Sequence, residues 1–232
     1  TSGVCFDETA DYDGLTIHEI NDALYNFTEA NPDFHLDLIG FDACLMATYE
    51  AAAHMQYYAD FMVASEELEP SLGWNYAWLN ALGENPALDA QGIGVAIADA
   101  YMEACLGENP DDYLSMSVLY LPAMDYLVST METYASYLSQ ALDAGQLSTF
   151  SRARQRMYAF GDFDSATSDM VDMMALIDGT RTIAPQTADV LQTAYERVVR
   201  YNVGTRKFDY LTGMSVYFPS GSYEGDGCQE TI

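Results

Sequence analysis

The first 151 residues of this 232-residue chain contain no lysine and no arginine. Every basic side chain lies at or beyond Arg152: Arg152, Arg154, Arg156, Arg181, Arg197, Arg200, Arg206 and Lys207. Against 36 Asp and Glu they leave a net charge of -28. Such a field repels nucleic acid and anionic membranes and attracts cations and basic ligands. Long apolar runs are missing too: none approaches the ~20 residues that span a bilayer, and no signal peptide is visible at the N-terminus. There is no internal repeat, low-complexity tract or linker. The four cysteines (Cys5, Cys44, Cys105, Cys228) form no C-x-x-C, so neither a zinc site nor a thioredoxin-type motif is signalled. Cys105 falls on a helical pattern and reads as a small core residue.

Half the residues are hydrophobic and 13% are aromatic, which is the composition of a globular chain with a sizeable core. Thr16 and Glu19 form a capping box ahead of "LTIHEINDALYNF", and Asn31-Pro32 ends that helix. "LDLIGF" (36–41) and "FMVAS" (61–65) read as strands buried on both faces, with a helix over 45–58 between them. That order implies a parallel pair with a right-handed crossover. Further strands are predicted at 116–121 and 213–219. Helices are predicted near 74–82, 90–106, 122–144, 147–158, 166–177 and 185–200. The class is α/β, a three-layer sandwich with a mostly parallel sheet.

In such a sheet, ligands bind at the carboxyl edge of the strands. Asp42 and Cys44 sit at that edge of the strand 36–41, and Ser65, Glu66, Glu67 and Glu69 leave the same edge of its neighbour. A helix starting just after Cys44 would favour its thiolate, the nucleophilic form. Position alone leaves Cys44 open between a buried structural thiol and a covalent catalyst. Asp42 is either the N-cap of the following helix or a functional acid. Glu66 and Glu67 read as a solvated turn.

The stretch "DLIGFDACLMATYEAA...YADFMVASEELEPSLGWNY" resembles the core of the clostripain family of cysteine peptidases, and "MSVLYL", "DMVDMMALI" and "TGMSVYFP" are similar to later segments of that family. The resemblance covers nearly the whole chain. It implies a caspase-like fold, a single peptidase domain over 1–232 that is incomplete at both ends, and a secreted or cell-surface bacterial protein. Cys44 would be the nucleophile, with its backbone N–H in the oxyanion hole. Asp42 would line the pocket for Arg or Lys at P1, and Glu69 is a weaker candidate for the same pocket. Caspase signatures read Q-A-C at this turn, and a carboxylate two residues before the cysteine suits a guanidinium.

The resemblance also implies a histidine base in a His-Gly turn upstream of the cysteine, ~50 residues away in caspase-type signatures. Counting back from Cys44 runs off the chain, so that base is expected elsewhere, through truncation or on a separate N-terminal light chain. Of the three histidines present, His35 is at the far end of its strand and His54 is ten residues along the chain from Cys44. Only His18 begins near the right edge. No cofactor is expected. Calcium would suit the acidity, but "DETADYDG" (7–14) lacks the D-x-D-x-D-G pattern. The rival reading is an inactive homologue that binds basic peptides or a partner protein.

Overall fold

In the computed structural model, residues 3–161, 169–205 and 211–219 are described. Two short strands open the chain, β1 (Gly3–Asp7) and β2 (Asp13–Thr16), paired antiparallel. No strand was expected here from the sequence. Its turn needs positive φ at Asp11 and Tyr12, and a turn of that kind carries no glycine signal here. Helix α1 (Ile17–Ala30) follows with the expected capping box: Thr16 Oγ accepts the Glu19 N–H, and Glu19 accepts the Thr16 N–H at 2.8 Å.

Strand β3 (Leu36–Gly40), helix α2 (Tyr49–Met55) and strand β4 (Ala59–Ala64) form the expected parallel unit. Then come helices α3 (Trp78–Glu84) and α4 (Ala90–Glu108) and strand β5 (Ser115–Tyr120). A 3-10 turn over Leu121–Ala123 leads into α5 (Met124–Asp143) and α6 (Leu147–Arg154). The remaining described elements are β6 (Met170–Asp172), α7 (Met173–Thr180), α8 (Pro185–Val198), β7 (Val199–Gly204) and β8 (Ser215–Tyr217).

The central sheet runs β3-β4-β5-β7, and β6 pairs with β8 in a small sheet beside it. Helix α4 covers one face of the central sheet, burying Ile97, Tyr101 and Cys105 against Val63, Met116 and Val118. The other face packs under α2, α5 and α8 through Met55, Met62, Leu119, Leu127 and Leu191. Three layers therefore stand, as the α/β reading requires. The sheet is mixed rather than mostly parallel, because β4–β5 and β5–β7 are both antiparallel. The reason is in the connection: the chain traverses the sheet twice between β4 and β5, so Ser117 pairs with Ala64 and β5 starts where β4 ends.

Three further boundaries moved. The helix expected from 45 begins at Tyr49, because Thr48 is its cap and Leu45 has φ 62°. The helix expected over 166–177 is a strand and a helix divided at Asp172, which caps α7 by accepting the Ala175 N–H; its first residues lie outside the described ones. The tail of the helix expected to reach 200 is β7, where pairing with β5 overrides the helical pattern of "YERVVR". Cys105 is buried as expected and Cys5 is exposed, while Cys228 lies outside the described residues.

Candidate active site

Strand β3 delivers its carboxyl end at Gly40, and Phe41 extends the pairing by donating its N–H to the Val63 carbonyl. The chain then folds over itself. Leu45 N–H donates to Glu67 O and Ala47 N–H to Ser65 O, so residues 44–48 double back along the loop that follows β4. The reversal is made at Leu45, a left-handed backbone on a γ-branched residue that is uncommon outside constrained sites. Its side chain packs against Gly161, where any Cβ would sit 2.8 Å from Leu45 Cδ1.

Cys44 stands exposed on this turn. Its Sγ accepts the Glu69 N–H at 3.1 Å and lies 3.7 Å from the Glu69 carbonyl oxygen. The electrostatic partner of the sulfur is thus a backbone amide of the facing loop, not the end of α2 as the sequence suggested. The amide of Cys44 itself has no acceptor among the described residues.

Asp42 does not cap α2; Thr48 does, accepting the Ala51 N–H at 2.9 Å. Asp42 instead faces the loop 69–76. Its carboxylate accepts the Trp74 N–H at 3.0 Å and the Tyr76 hydroxyl at 3.1 Å. Two glycines make that approach feasible. Gly73 takes φ 65° with Asp42 Oδ1 only 3.1 Å from where its Cβ would be, and Gly40 leaves room for the Trp74 ring, 2.8 Å from a Cβ there.

Glu69 joins the same pocket. Both of its carboxylate oxygens are buried, with the Trp74 indole and the Asp42 carboxyl as neighbours, and the Tyr101 hydroxyl is buried without a hydrogen bond among the described residues. Burial, and then the neighbouring Asp42, push the Glu69 carboxyl up to about 8. Burial and the nearby Glu69 push the Tyr101 phenol up as well. A pair of acids, one of them buried, thus stands beside an exposed thiol.

The reading of Glu66 and Glu67 as a solvated turn is overturned: both are fully buried, at 0% exposure. Their backbone N–H groups donate to Ser115 Oγ at 3.0 and 3.1 Å, which draws the turn inward onto β5. The Glu67 carboxylate accepts the N–H groups of Leu68 and Gly161 and the Tyr158 hydroxyl. The Glu66 carboxylate accepts the Gly213 N–H at 2.9 Å.

The histidines are elsewhere. His35 meets Asp60 at 3.1 Å, at the start of β4 and the opposite edge from Cys44. The His18 ring lies 5.3 Å from that of His54, in the last turn of α2. That places both at the end of α2 remote from its cap, His54 being ~7.5 Å further along the axis than Tyr49 is. Burial, then His18, hold His54 below the ordinary histidine range. The Tyr120 ring is tilted against that of Phe61, with centroids 5.1 Å apart, and the Arg200 guanidinium lies 4.8 Å from its centroid. Among the described residues no group of three or more His, Cys, Asp or Glu could hold a metal ion. None of the described helices is long and apolar enough to cross a membrane.

A sheet sandwiched between helices, with a cysteine-bearing turn at the end of one strand, agrees with a caspase-like fold. The chain belongs to the clostripain family (peptidase C11), whose family model matches residues 1–223. It is similar in structure to a secreted C11 cysteine protease from Bacteroides thetaiotaomicron in complex with an irreversible peptide inhibitor (TM-score 0.67, 18% identity, 97% of this chain and 62% of that one). It is also similar to an inactive zymogen C11 protease from Parabacteroides distasonis (TM-score 0.61, 18% identity, 85% and 57%). A clostripain from B. thetaiotaomicron in complex with the peptide inhibitor BTN-VLTK-AOMK matches with TM-score 0.61 and 14% identity over 98% of this chain and 96% of that one. The chain thus spans less than two thirds of the length of the first two. No curated protein matches it.

Proposed function

We propose that this chain carries the nucleophile and the specificity pocket of a cysteine endopeptidase that cleaves after Arg or Lys. The observation that carries this reading is the pair Asp42 and Glu69 beside Cys44, with the Glu69 carboxyl buried against Asp42. A P1 guanidinium or ammonium would supply the missing charge and donors. The similar clostripain that binds an inhibitor of sequence VLTK, ending on lysine, supports the same chemistry.

In the proposed reaction the Cys44 thiolate attacks the carbonyl carbon after P1, and the oxyanion forms beside the unengaged Cys44 N–H. Collapse expels the amine, which takes a proton from a histidine, and leaves a thioester that water hydrolyses. The reaction so drawn calls on no cofactor. The three histidines of this chain sit away from Cys44, so the base comes from a segment outside it, as an N-terminal light chain would supply. Strand β3 has no partner on its outer side among the described residues, which offers such a segment a place to pair. Secreted relatives, and an acidic field that recruits basic peptides, favour an extracellular or cell-surface setting.

The test is labelling of the full-length protein with an Arg-directed covalent inhibitor, read by mass spectrometry. Modification of Cys44 in wild type, and none in Cys44→Ala, is expected. A folded wild-type protein that stays unlabelled overturns the peptidase reading in favour of a peptide-binding homologue.

A further inference from the structure

Glu66 and Asp172 are buried to 0% and 2% exposure, come from different parts of the chain, and take consecutive amides of one segment. Glu66 accepts the Gly213 N–H at 2.9 Å, and Asp172 accepts the Thr212 N–H and hydroxyl, both at 2.7 Å. Gly213 needs its glycine, at φ 114° with Val199 Cγ1 2.9 Å from a would-be Cβ. Two residues on, Ser215 N–H donates to Ala47 O at 2.8 Å. Ala47 N–H in turn donates to Ser65 O, beside Glu66. The turn that carries Cys44 is therefore gripped from two sides, and Glu66 links them.

We propose that Glu66 and Asp172 hold one proton between them and form a clasp that positions the Cys44 turn, Glu66 being a positioning residue. The donor count decides where the proton sits. Asp172 receives the Ala175 N–H and both Thr212 donors, as a carboxylate does. Because Thr212 gives its hydroxyl proton to Asp172, the Tyr195 hydroxyl donates to Thr212, extending the chain of donors. Glu66 receives one N–H, and its Oε1 has no partner among the described residues, so Glu66 is the acid and Oε1 carries the hydrogen. Among the described residues the other ionisable groups facing the pair are Glu67 and Tyr195, both acids, so none of these offsets a second negative charge. Burial, then Asp172, raise Glu66 well above the usual carboxyl range. Loss of the shared proton at alkaline pH places two bare charges in one dry site, and the segment 211–215 loosens together with the turn it holds.

The clasp is a property of the fold; its effect on rate rests on the peptidase reading above. Amide hydrogen exchange over 212–215, corrected for the intrinsic pH dependence, tests the clasp directly. Wild type is expected to lose protection as the pH is raised from neutral into the alkaline range, by about tenfold or more. E66Q, whose amide is a permanent donor toward Asp172, is expected to keep at pH 10 the protection wild type has at pH 7. E66A is expected to lose it at every pH. In the full-length enzyme the alkaline fall in kcat should shift upward in E66Q, with KM little moved. Exchange with no pH dependence in wild type, or the same dependence in E66Q, overturns the clasp. A clasp confirmed by exchange in a protein that no Arg-directed inhibitor labels would instead reject the peptidase reading alone.

Discussion

Raising the pH should tighten the pocket's hold on a cationic side chain, and Glu69 is the reason. Burial and Asp42 move its carboxyl from the ordinary 4.5 to about 8, so at neutral pH the empty pocket holds a protonated Glu69 facing Asp42. A guanidinium seated between the two acids reverses the Coulomb penalty and supplies donors, and the proton leaves as the cation enters. Linked release of one proton is worth up to tenfold in affinity per pH unit, hence up to about 100-fold between pH 6 and 8. The assay is the ratio of kcat/KM for an arginyl substrate to that for its citrullinyl twin, which has the same shape without the charge. Titration of the thiol and of the base cancels in that ratio. It should rise steeply from pH 6 to 8 and level off above. Glu69→Gln should abolish most of the slope. A ratio constant from pH 6 to 9, or a slope that survives the substitution, would refute the reasoning. The same proton bears on stability with a definite sign. Because the folded carboxyl titrates above the unfolded one, its stabilising contribution is complete below about 4.5 and is lost as pH rises through about 8. The full shift corresponds to at most about 5 kcal/mol. The melting temperature of the ligand-free protein should therefore fall over that window, and fall less in Glu69→Gln.

Gly73→Ala forces a left-handed alanine, at a cost of about 1 kcal/mol, and presses its Cβ toward Asp42 Oδ1. KM for an arginyl peptide should rise several-fold with a smaller change in kcat, seen in steady-state kinetics. Thr16→Ala removes the capping box of α1 and should cost about 1 kcal/mol, a fall of about 2–4 °C in the calorimetric midpoint with the pocket unaffected.

What the sequence revealed and what it concealed follow from how far each feature reaches along the chain. The strand at 36–40, the cysteine at its carboxyl edge and the box at Thr16 and Glu19 are local patterns, and each is found where residue chemistry puts it. The four-stranded sheet's polarity was not legible, because it depends on how often residues 65–114 cross the layer, and helix periodicity counts helices rather than crossings. Strand β7 hid in "VVRYNVG", whose β-branched residues adjoin a strong helical pattern and declare themselves only against β5. Glu66 and Glu67 read as surface because acids usually are; their partners Gly161, Tyr158 and Gly213 are 94, 91 and 147 positions away. The sulfur's real partner, the Glu69 amide, shows why a helix expected at 45 misled. The reversal at Leu45 postpones the helix and turns Cys44 toward the loop after β4.

That long reach has a consequence for timing. The turn bearing Cys44 is seated by Ser215, which bonds the Ala47 carbonyl from 168 positions further along. During synthesis the cysteine leaves the ribosome with its strand and helix, yet the residue that fixes its backbone arrives roughly ten seconds or more later, at ~5–20 residues per second. Contacts of such sequence separation form late in folding. A nascent chain therefore carries its thiol through the synthesis of those 168 positions without the geometry to use it, and the last described strand to be made is also the one that sets the cysteine in place.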